Sequence, residues 1–248
     1  MSNSLDNDNA ENKDGSSLHS VTALAPSKMA GGDSTHMQGG KIIFLNGTSS
    51  AGKTTLARAL QSALPEFYQH MALDQFRDGM PDKYRGLNSP IGTTGAEGLN
   101  VVPVINSPAC HTAVQFGATG KQMLSGMRRG IAAMASAGIN VIIDDIILEA
   151  EFLDDYLQTF QGLYVLFVGV KCPQEVIQRR ENARPGRFPG TAIGHLNACH
   201  AHGIYDVEVD TASDLPTVCA QKIIEFMHNS TPGAFNTLNQ SAKEVNSL

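Results

Sequence analysis

The stretch "FLNGTSSAGKTTLARAL", residues 44–60, decides the fold, because it sets a glycine-rich turn between an apolar run and an amphipathic run. The apolar run, "KIIFLN" at residues 41–46, is short and rich in β-branched residues, which is typical of a strand. The amphipathic run repeats its apolar residues at helical spacing until Pro65 ends it. The sequence therefore predicts a strand, a tight loop and a helix in immediate succession.

The turn fits the pattern G-x-x-x-x-G-K-[ST], which cradles phosphate groups with backbone N–H groups. The following helix adds its N-terminal donors and the positive end of its dipole. Lys53 is expected to reach the terminal phosphates of a nucleotide, and the Thr54 hydroxyl to ligate Mg²⁺. The flanking strand and helix argue against a chance match, and a dinucleotide-binding turn would need G-x-G-x-x-G instead. The predicted nucleotide-binding residues are Gly47, Thr48, Ser49, Ser50, Ala51, Gly52, Lys53, Thr54 and Thr55.

Downstream of this loop, short apolar runs alternate with helical patterns. Strands are predicted at "HMALD", "INVIIDD", "LYVLFVGV" and "YDVEVDT", and helices over residues 122–137, 152–160 and 218–227. The alternation predicts an α/β fold with a doubly wound, mainly parallel sheet, of the P-loop kinase type with a small lid. Because ligands bind beyond the carboxyl ends of the strands in such sheets, polar residues at those ends are candidate site residues.

The two ends of the chain and one internal stretch lack this pattern. Residues 1–40 are predicted to form a disordered leader, because they are too polar to bury a core. Residues 41–229 are predicted to form the folded P-loop domain, and residues 230–248 a flexible tail. Residues 86–120 show no sustained period and hold many glycines and prolines, which predicts an irregular flap on the substrate side.

The composition restricts the kinds of partner. The chain has 248 residues, 42% of them apolar, and a formal net charge of −6, which does not suggest a nucleic-acid partner. No apolar run approaches the roughly 18 residues that span a bilayer, and no secretory signal begins the sequence, so no membrane partner is expected. The four cysteines form no C-x-x-C pair and are expected to be reduced, in a cytoplasmic protein. A homo-oligomer is left open.

Three acids follow predicted strands. Asp74 closes "HMALD", and it is expected either to take the proton from an incoming hydroxyl or to cap a short helix. Asp144 and Asp145 close "INVIIDD", where an acid orders Mg²⁺ directly or through water. Because side chains alternate along a strand, one of this pair is expected to face the site, and the pattern leaves open which one. Two solvated acids are the alternative.

Arginines cluster in "QRRENARPGRFPG", residues 178–190, which runs from a helix into a loop broken by proline and glycine. Cations that face a phosphate site would form a lid that neutralises the transferring charge, whereas an exposed basic helix face is the alternative. The four cations of this segment are Arg179, Arg180, Arg184 and Arg187, and the proline and glycine residues among them favour the lid.

A weaker pattern follows the arginines. His195, Cys199 and His202 stand at i, i+4 and i+7, a spacing that can place zinc ligands on one helix face. No fourth ligand is evident in the sequence, so ordinary residues at the end of a helix are the favoured interpretation.

The chain resembles the chloramphenicol phosphotransferase family of P-loop kinases in "FLNGTSSAGKTTLARALQSALP", "ALDQFRDGMP", "INVIIDDIIL", "FVGVKCP", "RENARPGR" and "YDVEVDT". The similarity runs from about residue 41 to residue 211, with the motifs in the same order. It implies transfer of the ATP γ-phosphoryl group to a hydroxyl of a small antibiotic. It also implies Asp74 as the catalytic base, Asp210 and Thr211 near the adenine pocket, and a basic lid at Arg180, Arg184 and Arg187.

Together these patterns predict an ATP-dependent and Mg²⁺-dependent phosphotransferase whose partners are ATP and a small hydroxyl-bearing substrate such as chloramphenicol. The alternatives are a related kinase with a nucleoside, sugar or sugar-nucleotide acceptor, and a nucleotide-binding regulatory module. The module is disfavoured, because binding alone needs neither a base nor lid arginines. The predicted catalytic residues are Lys53, Asp74, Arg180, Arg184 and Arg187, and the predicted metal residues are Thr54, Asp144 and Asp145.

Overall fold

Parallel strands covered by helices organise the chain over residues 39–104, 111–184 and 190–245, which the computed structural model describes. The strands are β1 Lys41–Asn46, β2 Tyr68–Ala72, β3 Arg85–Leu87, β4 Leu99–Pro103, β5 Thr112–Phe116, β6 Asn140–Asp145, β7 Tyr164–Lys171 and β8 Val207–Asp210. The helices are α1 Lys53–Ala63, α2 Leu73–Asp78, α3 Thr94–Glu97, α4 Ala118–Ser136, α5 Ala150–Thr159, α6 Gln174–Asn182, α7 Thr191–Leu196, α8 Pro216–Asn229 and α9 Ala234–Val245. Over these residues, no helix combines the length and the apolar composition that crossing a bilayer requires.

The main sheet has the strand order β2-β6-β1-β7-β8, and every neighbouring pair in it is parallel. This order confirms the predicted doubly wound α/β fold. In the register of the sheet, Asn46 at the end of β1 lies beside Asp145 of β6 and Gly169 of β7. The carboxyl ends of the three central strands therefore meet at one edge, where the glycine-rich loop begins.

Two apolar layers enclose this sheet, and β1 shows how its side chains divide between them. Ile42 and Phe44 belong to the layer that includes residues of α4, α5 and α9, whereas Ile43 and Leu45 belong to the layer that includes residues of α1 and α8. All four side chains are fully buried. Because both faces of the strand are covered, its sequence is a continuous apolar run.

A second, three-stranded sheet forms where the sequence predicts an irregular flap. β3 pairs with β4 in parallel, and β4 pairs with β5 antiparallel. The prediction of low regularity over residues 86–120 was therefore wrong for the described part of that stretch, while residues 105–110 lie outside it. Its backbones approach closely at glycines: a Cβ added at Gly98 would lie 1.9 Å from the carbonyl oxygen of Tyr84. Short strands that pack by backbone contact leave little periodic side-chain signal.

The predicted flexible tail is also corrected by the structure. Helix α9 lies within residues 230–248, and Ala234, Phe235 and Leu238 are buried in the same apolar layer as Phe44. Phe235 stands edge-on to Phe167 of β7 at a ring separation of 5.1 Å. The segment is polar overall, but three apolar residues on one helix face are enough to dock it against the core.

We therefore expect Phe235→Ala to lower the free energy of unfolding by about 3 kcal/mol, because it removes a buried ring and leaves a cavity. The matched control is Asn236→Ala, since Asn236 is exposed on the same helix and should change the free energy by less than about 0.5 kcal/mol. Urea unfolding of both variants provides the measurement. Equal stabilities would contradict the docking of α9.

Candidate active site

A cleft of about 1260 Å³ runs along the carboxyl ends of the main sheet. It joins the glycine-rich loop, the start of α2, the small sheet and the segment between α6 and α8. Of the residues that the sequence predicts for the site, Arg187 lies outside the described residues, and Gly47, Thr48 and Ala51 do not line the cleft. The others all line it: Ser49, Ser50, Gly52, Lys53, Thr54, Thr55, Asp74, Asp144, Asp145, Arg180 and Arg184.

The glycine-rich loop has the backbone geometry of a phosphate cradle. Ser50 and Gly52 take positive φ angles of 61° and 93°, which turn the chain tightly before α1 begins at Lys53. The Lys53 ammonium group folds back over the loop, and it donates hydrogen bonds to the carbonyl oxygens of Gly47 at 2.8 Å and Thr48 at 3.0 Å. Its charge therefore lies above the loop, where terminal phosphates of a nucleotide would sit.

Asp144 is the strand-end acid that faces this loop. Its Oδ2 accepts a hydrogen bond of 2.6 Å from the Thr54 hydroxyl, and its Oδ1 lies 3.6 Å from the Lys53 ammonium nitrogen. Burial acts to raise the pKa of this carboxyl, but Lys53, His70 and Thr54 together hold that pKa below its usual range. Asp144 is therefore ionised and directed at the first turn of α1.

Asp145 is turned the other way, as alternation along a strand requires. Its carboxylate accepts hydrogen bonds from the Tyr156 hydroxyl of α5 and from the backbone N–H of Ile146, the latter at 2.7 Å. Burial raises the pKa of Asp145 despite these bonds. One acid of the pair thus contacts the loop residues Lys53 and Thr54, and the other joins the apolar layer behind the sheet.

The Thr54 hydroxyl and the Asp144 carboxylate fit Mg²⁺ as ligands, because both offer hard oxygen atoms beside the phosphate loop. Within the described ranges, no group of three or more His, Cys, Asp or Glu side chains could hold a metal ion. Mg²⁺ usually binds through one or two protein oxygens together with substrate phosphates, so two protein donors are sufficient here.

His195, Cys199 and His202, the three residues with zinc-ligand spacing, contact different parts of the protein. His195 lines the cleft, and its Nε2 accepts a hydrogen bond of 3.1 Å from the backbone N–H of Val114 in β5. The carbonyl oxygen of Cys199 and the ring of His202 instead lie around the Asn46 side chain at the end of β1. These contacts hold structural elements together, in agreement with the favoured interpretation of the sequence.

Asp74 lies in the first turn of α2, whereas the sequence places it at the end of a strand. β2 ends at Ala72, which occupies the N-cap position, so the capping alternative does not describe Asp74 either. Its Oδ1 accepts a hydrogen bond of 2.7 Å from Arg77, and 43% of its side chain is exposed to the cleft side of the helix. An accessible carboxylate held by an arginine is suited to receive a proton from a bound alcohol.

Around Asp74 the cleft combines paired charges with an apolar wall. Arg77 bonds Asp78 at 2.8 Å as well as Asp74, and Arg85 pairs with Asp82 and lies 3.8 Å from Asp78. These arginines are therefore neutralised by carboxylates of the protein itself. An apolar wall of the cleft comes mainly from the small sheet, and its members are Leu87, Leu99, Val101, Val114, Phe116 and Leu148.

Arg180, one of the predicted lid residues, contacts a segment that borders the phosphate loop. Its guanidinium donates to the Thr211 hydroxyl at 3.0 Å and to the Thr211 carbonyl oxygen at 2.7 Å. The Thr211 hydroxyl in turn donates to the Ala51 carbonyl oxygen at 2.6 Å. Arg184 lines the cleft at the exposed end of α6.

Glu181 lines the cleft as well, and no pattern in the sequence marks it as a candidate site residue. It is 3% exposed, and its two carboxylate oxygens accept the backbone N–H groups of Gly190 at 2.7 Å and Ala192 at 2.9 Å. It therefore joins the end of α6 to the start of α7. Thr48 also donates to the Ala192 carbonyl oxygen, which ties α7 to the phosphate loop. No local pattern marks an acid that caps a helix ten residues downstream.

The chain is similar to known proteins over most of its length. Residues 40–228 match the family model described as "Chloramphenicol phosphotransferase-like protein". A Mycobacterium tuberculosis protein named "Putative O-phosphotransferase" is 35% identical over 214 residues, which cover 82% of this chain and 89% of that protein.

Solved kinase structures share the fold. An APS kinase from M. tuberculosis, in complex with AMPPNP and APS, superposes with a TM-score of 0.53 at 17% identity, and the match covers 77% of this chain and 99% of that one. A gluconokinase from Sinorhizobium meliloti gives a TM-score of 0.50 at 18% identity, with 82% of this chain and 98% of that one covered. At this level of identity the likeness shows the fold alone.

The contacts of the two strand-end acids predict different effects of removing their charges. Asp144→Asn should reduce turnover on the order of 10²-fold and weaken the response to Mg²⁺, because a neutral amide is a poor ligand for this ion. Asp145→Asn should keep the Mg²⁺ dependence of the native protein, since that carboxylate bonds Tyr156 and Ile146 instead. Steady-state turnover against Mg²⁺ concentration measures both, and a larger metal effect in the Asp145 variant would reverse the assignment.

The contacts of His195 predict a pH dependence of stability. Burial lowers the pKa of His195 from its usual 6.5 to about 4, so the folded protein keeps the ring neutral between these values while the unfolded chain protonates it. Protonation of His195 in the unfolded chain should therefore have no effect on the free energy of unfolding well above pH 6.5. It should lower that free energy by roughly 1–3 kcal/mol as the pH drops to 4.

His195→Gln tests this prediction, because glutamine can still accept from Val114 and does not titrate. The variant should show a flatter dependence of unfolding free energy on pH between 4 and 6.5, whereas exposed His228→Gln should leave the native curve unchanged. Denaturant titrations at several pH values give the curves. Identical curves for the His195 variant and the native protein would rule out the assigned cause.

Proposed function

The chain belongs to the chloramphenicol phosphotransferase-like protein family, and from this premise we propose that it transfers the γ-phosphoryl group of ATP, with Mg²⁺, to a hydroxyl of a small molecule. That it is a kinase acting on a hydroxyl group follows from the family and from the mycobacterial relative. The observation that supports the rest is one cleft lined by the glycine-rich loop, by the Asp144 carboxylate bonded to Thr54, and by the accessible carboxylate of Asp74.

The donor half of the cleft would bind ATP through the loop amides and Lys53. The lysine ammonium neutralises charge on the terminal phosphates, and Arg180 approaches from the segment around Thr211. The Thr54 hydroxyl and the Asp144 carboxylate would hold Mg²⁺, which would neutralise charge on the β- and γ-phosphates when bound. Arg184, together with Arg187, would add positive charge from the lid.

The acceptor half would bind the alcohol between Asp74 and the apolar wall of the small sheet. As the alcohol oxygen forms its bond to the γ-phosphorus, Asp74 takes the hydroxyl proton and the bond to the ADP oxygen breaks. Arg77 orients the Asp74 carboxylate during this step through its 2.7 Å hydrogen bond. The protein mainly positions the two reactants and stabilises charge, as phosphoryl transfer requires.

The acceptor itself is best sought among antibiotics that carry a primary or secondary alcohol, with chloramphenicol first. The family description points to it, and the apolar wall of the cleft can pack against its aromatic ring. Consumption of ATP should be screened over such antibiotics, nucleosides, sugars and sugar-nucleotides. Expression in a susceptible bacterium then tests resistance directly, and turnover of a sugar without any gain in resistance would move the assignment to the alternative kinase.

The role of Asp74 gives the sharpest test of the mechanism. Asp74→Asn keeps the shape and can still accept from Arg77, but it cannot take a proton, so turnover should fall by roughly 10²–10⁴-fold. ATP affinity should change little, because Lys53 and the loop amides hold the nucleotide. Lys53→Ala should have the opposite pattern and weaken ATP binding itself.

Steady-state kinetics and ATP-binding calorimetry on the folded variants separate these effects. Asp154→Asn, an exposed acid on α5, is the control for the loss of one negative charge and should retain native turnover. An Asp74→Asn variant with native turnover would show that another group, or none, removes the proton.

A further inference from the structure

His70 presents a buried nitrogen that the mechanism above does not use. It lies on β2, and only 15% of its side chain is exposed. Its Nε2 is buried and has no hydrogen-bond partner among the described residues. The same atom lies 3.6 Å from Oδ2 of Asp144, the carboxylate that faces the phosphate loop. A buried polar atom without a partner costs free energy, so its place beside this carboxylate calls for an explanation.

The register of the main sheet puts the imidazole there. β2 and β6 are parallel, with Ala72 beside Asp144 and His70 beside Ile142. Residues two apart share a face, so His70 and Asp144 both lie on the side of the sheet that α1 covers, with Tyr68 buried in the same layer. The imidazole therefore reaches the carboxylate from the strand next to it, while Thr54 reaches the same oxygen from α1.

Asp144 has few other partners that could fix its orientation. Oδ2 accepts the Thr54 hydroxyl, and Oδ1 has the Lys53 ammonium nitrogen at 3.6 Å. Both of these groups would turn toward a metal ion or a phosphate once ATP is bound, whereas His70 is fixed on a strand. A movement of less than about 1 Å would bring Nε2 to the usual N–H···O distance of about 2.9 Å.

We propose that His70 is a positioning residue for Asp144: its Nε2–H donates to Oδ2 and fixes the carboxylate in the orientation that holds Mg²⁺. Partners of this kind, one step removed from the metal, orient ligating carboxylates and typically change metal affinity by 10- to 100-fold when they are removed. The inference rests on the proposed function only in assuming that Asp144 serves a divalent ion bound with nucleotide. It does not depend on the identity of the acceptor.

Three substitutions of His70 distinguish the effect of losing the N–H donor from the effect of changing the side-chain volume. His70→Gln keeps a side-chain N–H that can reach Asp144, whereas His70→Leu and His70→Phe fill the space without a donor. Exposed His228→Leu is the control for the loss of a histidine elsewhere. Two apolar variants are used so that a folding defect in one of them can be recognised from the other. The Phe variant keeps a planar ring, and the Leu variant keeps an aliphatic side chain.

The measurement is Mn²⁺ binding to the protein–ADP complex by electron paramagnetic resonance, with calorimetry of metal-free ADP as a second readout. The Leu and Phe variants should bind Mn²⁺ on the order of 10-fold more weakly than the native protein, and the Gln variant within about 3-fold of it. Metal-free ADP should bind equally to all of them. The Mg²⁺ concentration that gives half-maximal turnover should shift by the same factor.

The outcomes distinguish this proposal from the proposed function. Equal Mn²⁺ affinity in the native, Gln, Leu and Phe proteins would overturn the role of His70 and leave the kinase assignment intact. An equal weakening in the Gln variant and the two apolar variants would also overturn it, because the N–H donor would then not matter. Native protein that binds Mn²⁺ with ADP but phosphorylates no alcohol would overturn the proposed acceptor chemistry alone.

Discussion

The close approach of the phosphate loop to β7 is the constraint on which the rest of the site depends. A Cβ at Gly47 would lie 2.5 Å from the carbonyl oxygen of Val170, so only glycine lets the chain leave β1 along this path. Just before the loop, Asn46 is fully buried and accepts the backbone N–H of Ile147 at 3.0 Å. The start of the loop is thus fixed to the strands on both of its sides. A cradle that is already in place does not have to reorganise when charge develops on a phosphate.

Helix α7 extends this rigidity from the phosphate loop to the acceptor wall. Thr48 ties it to the loop, Glu181 ties it to the end of α6, and His195 accepts an N–H from the outer edge of β5. A short helix of six residues has little stability of its own, so these contacts and the burial of Ala192 in the core hold it in place. Through α7, the end of α6, the phosphate loop and the small sheet are therefore connected by polar contacts, which fix these parts of the cleft relative to one another.

The parts of the fold that could be predicted are those with a local pattern. The strand, loop and helix around Lys53 lie where the sequence predicts them, and the apolar runs that end at Asp145 and Val170 are strands of a parallel sheet. The small sheet could not be predicted, because its strands pack through close backbone contacts at glycines such as Gly98. Such contacts produce no periodic pattern of apolar side chains. Helix α9 escaped because a few buried residues, Phe235 and Leu238 among them, dock an otherwise polar segment.

The sequence by itself determined the phosphate loop, the parallel sheet and the candidate acids, because each depends on residues that are close together along the chain. It also determined that Asp144 and Asp145 must face opposite ways, since side chains alternate in a strand. Only the tertiary structure decided that Asp144 faces the loop, because its partner Thr54 lies 90 residues earlier in the chain. The same holds for His70 and Glu181, whose contacts arise from strand register and helix packing. Such contacts join distant residues and leave no periodic trace in the sequence.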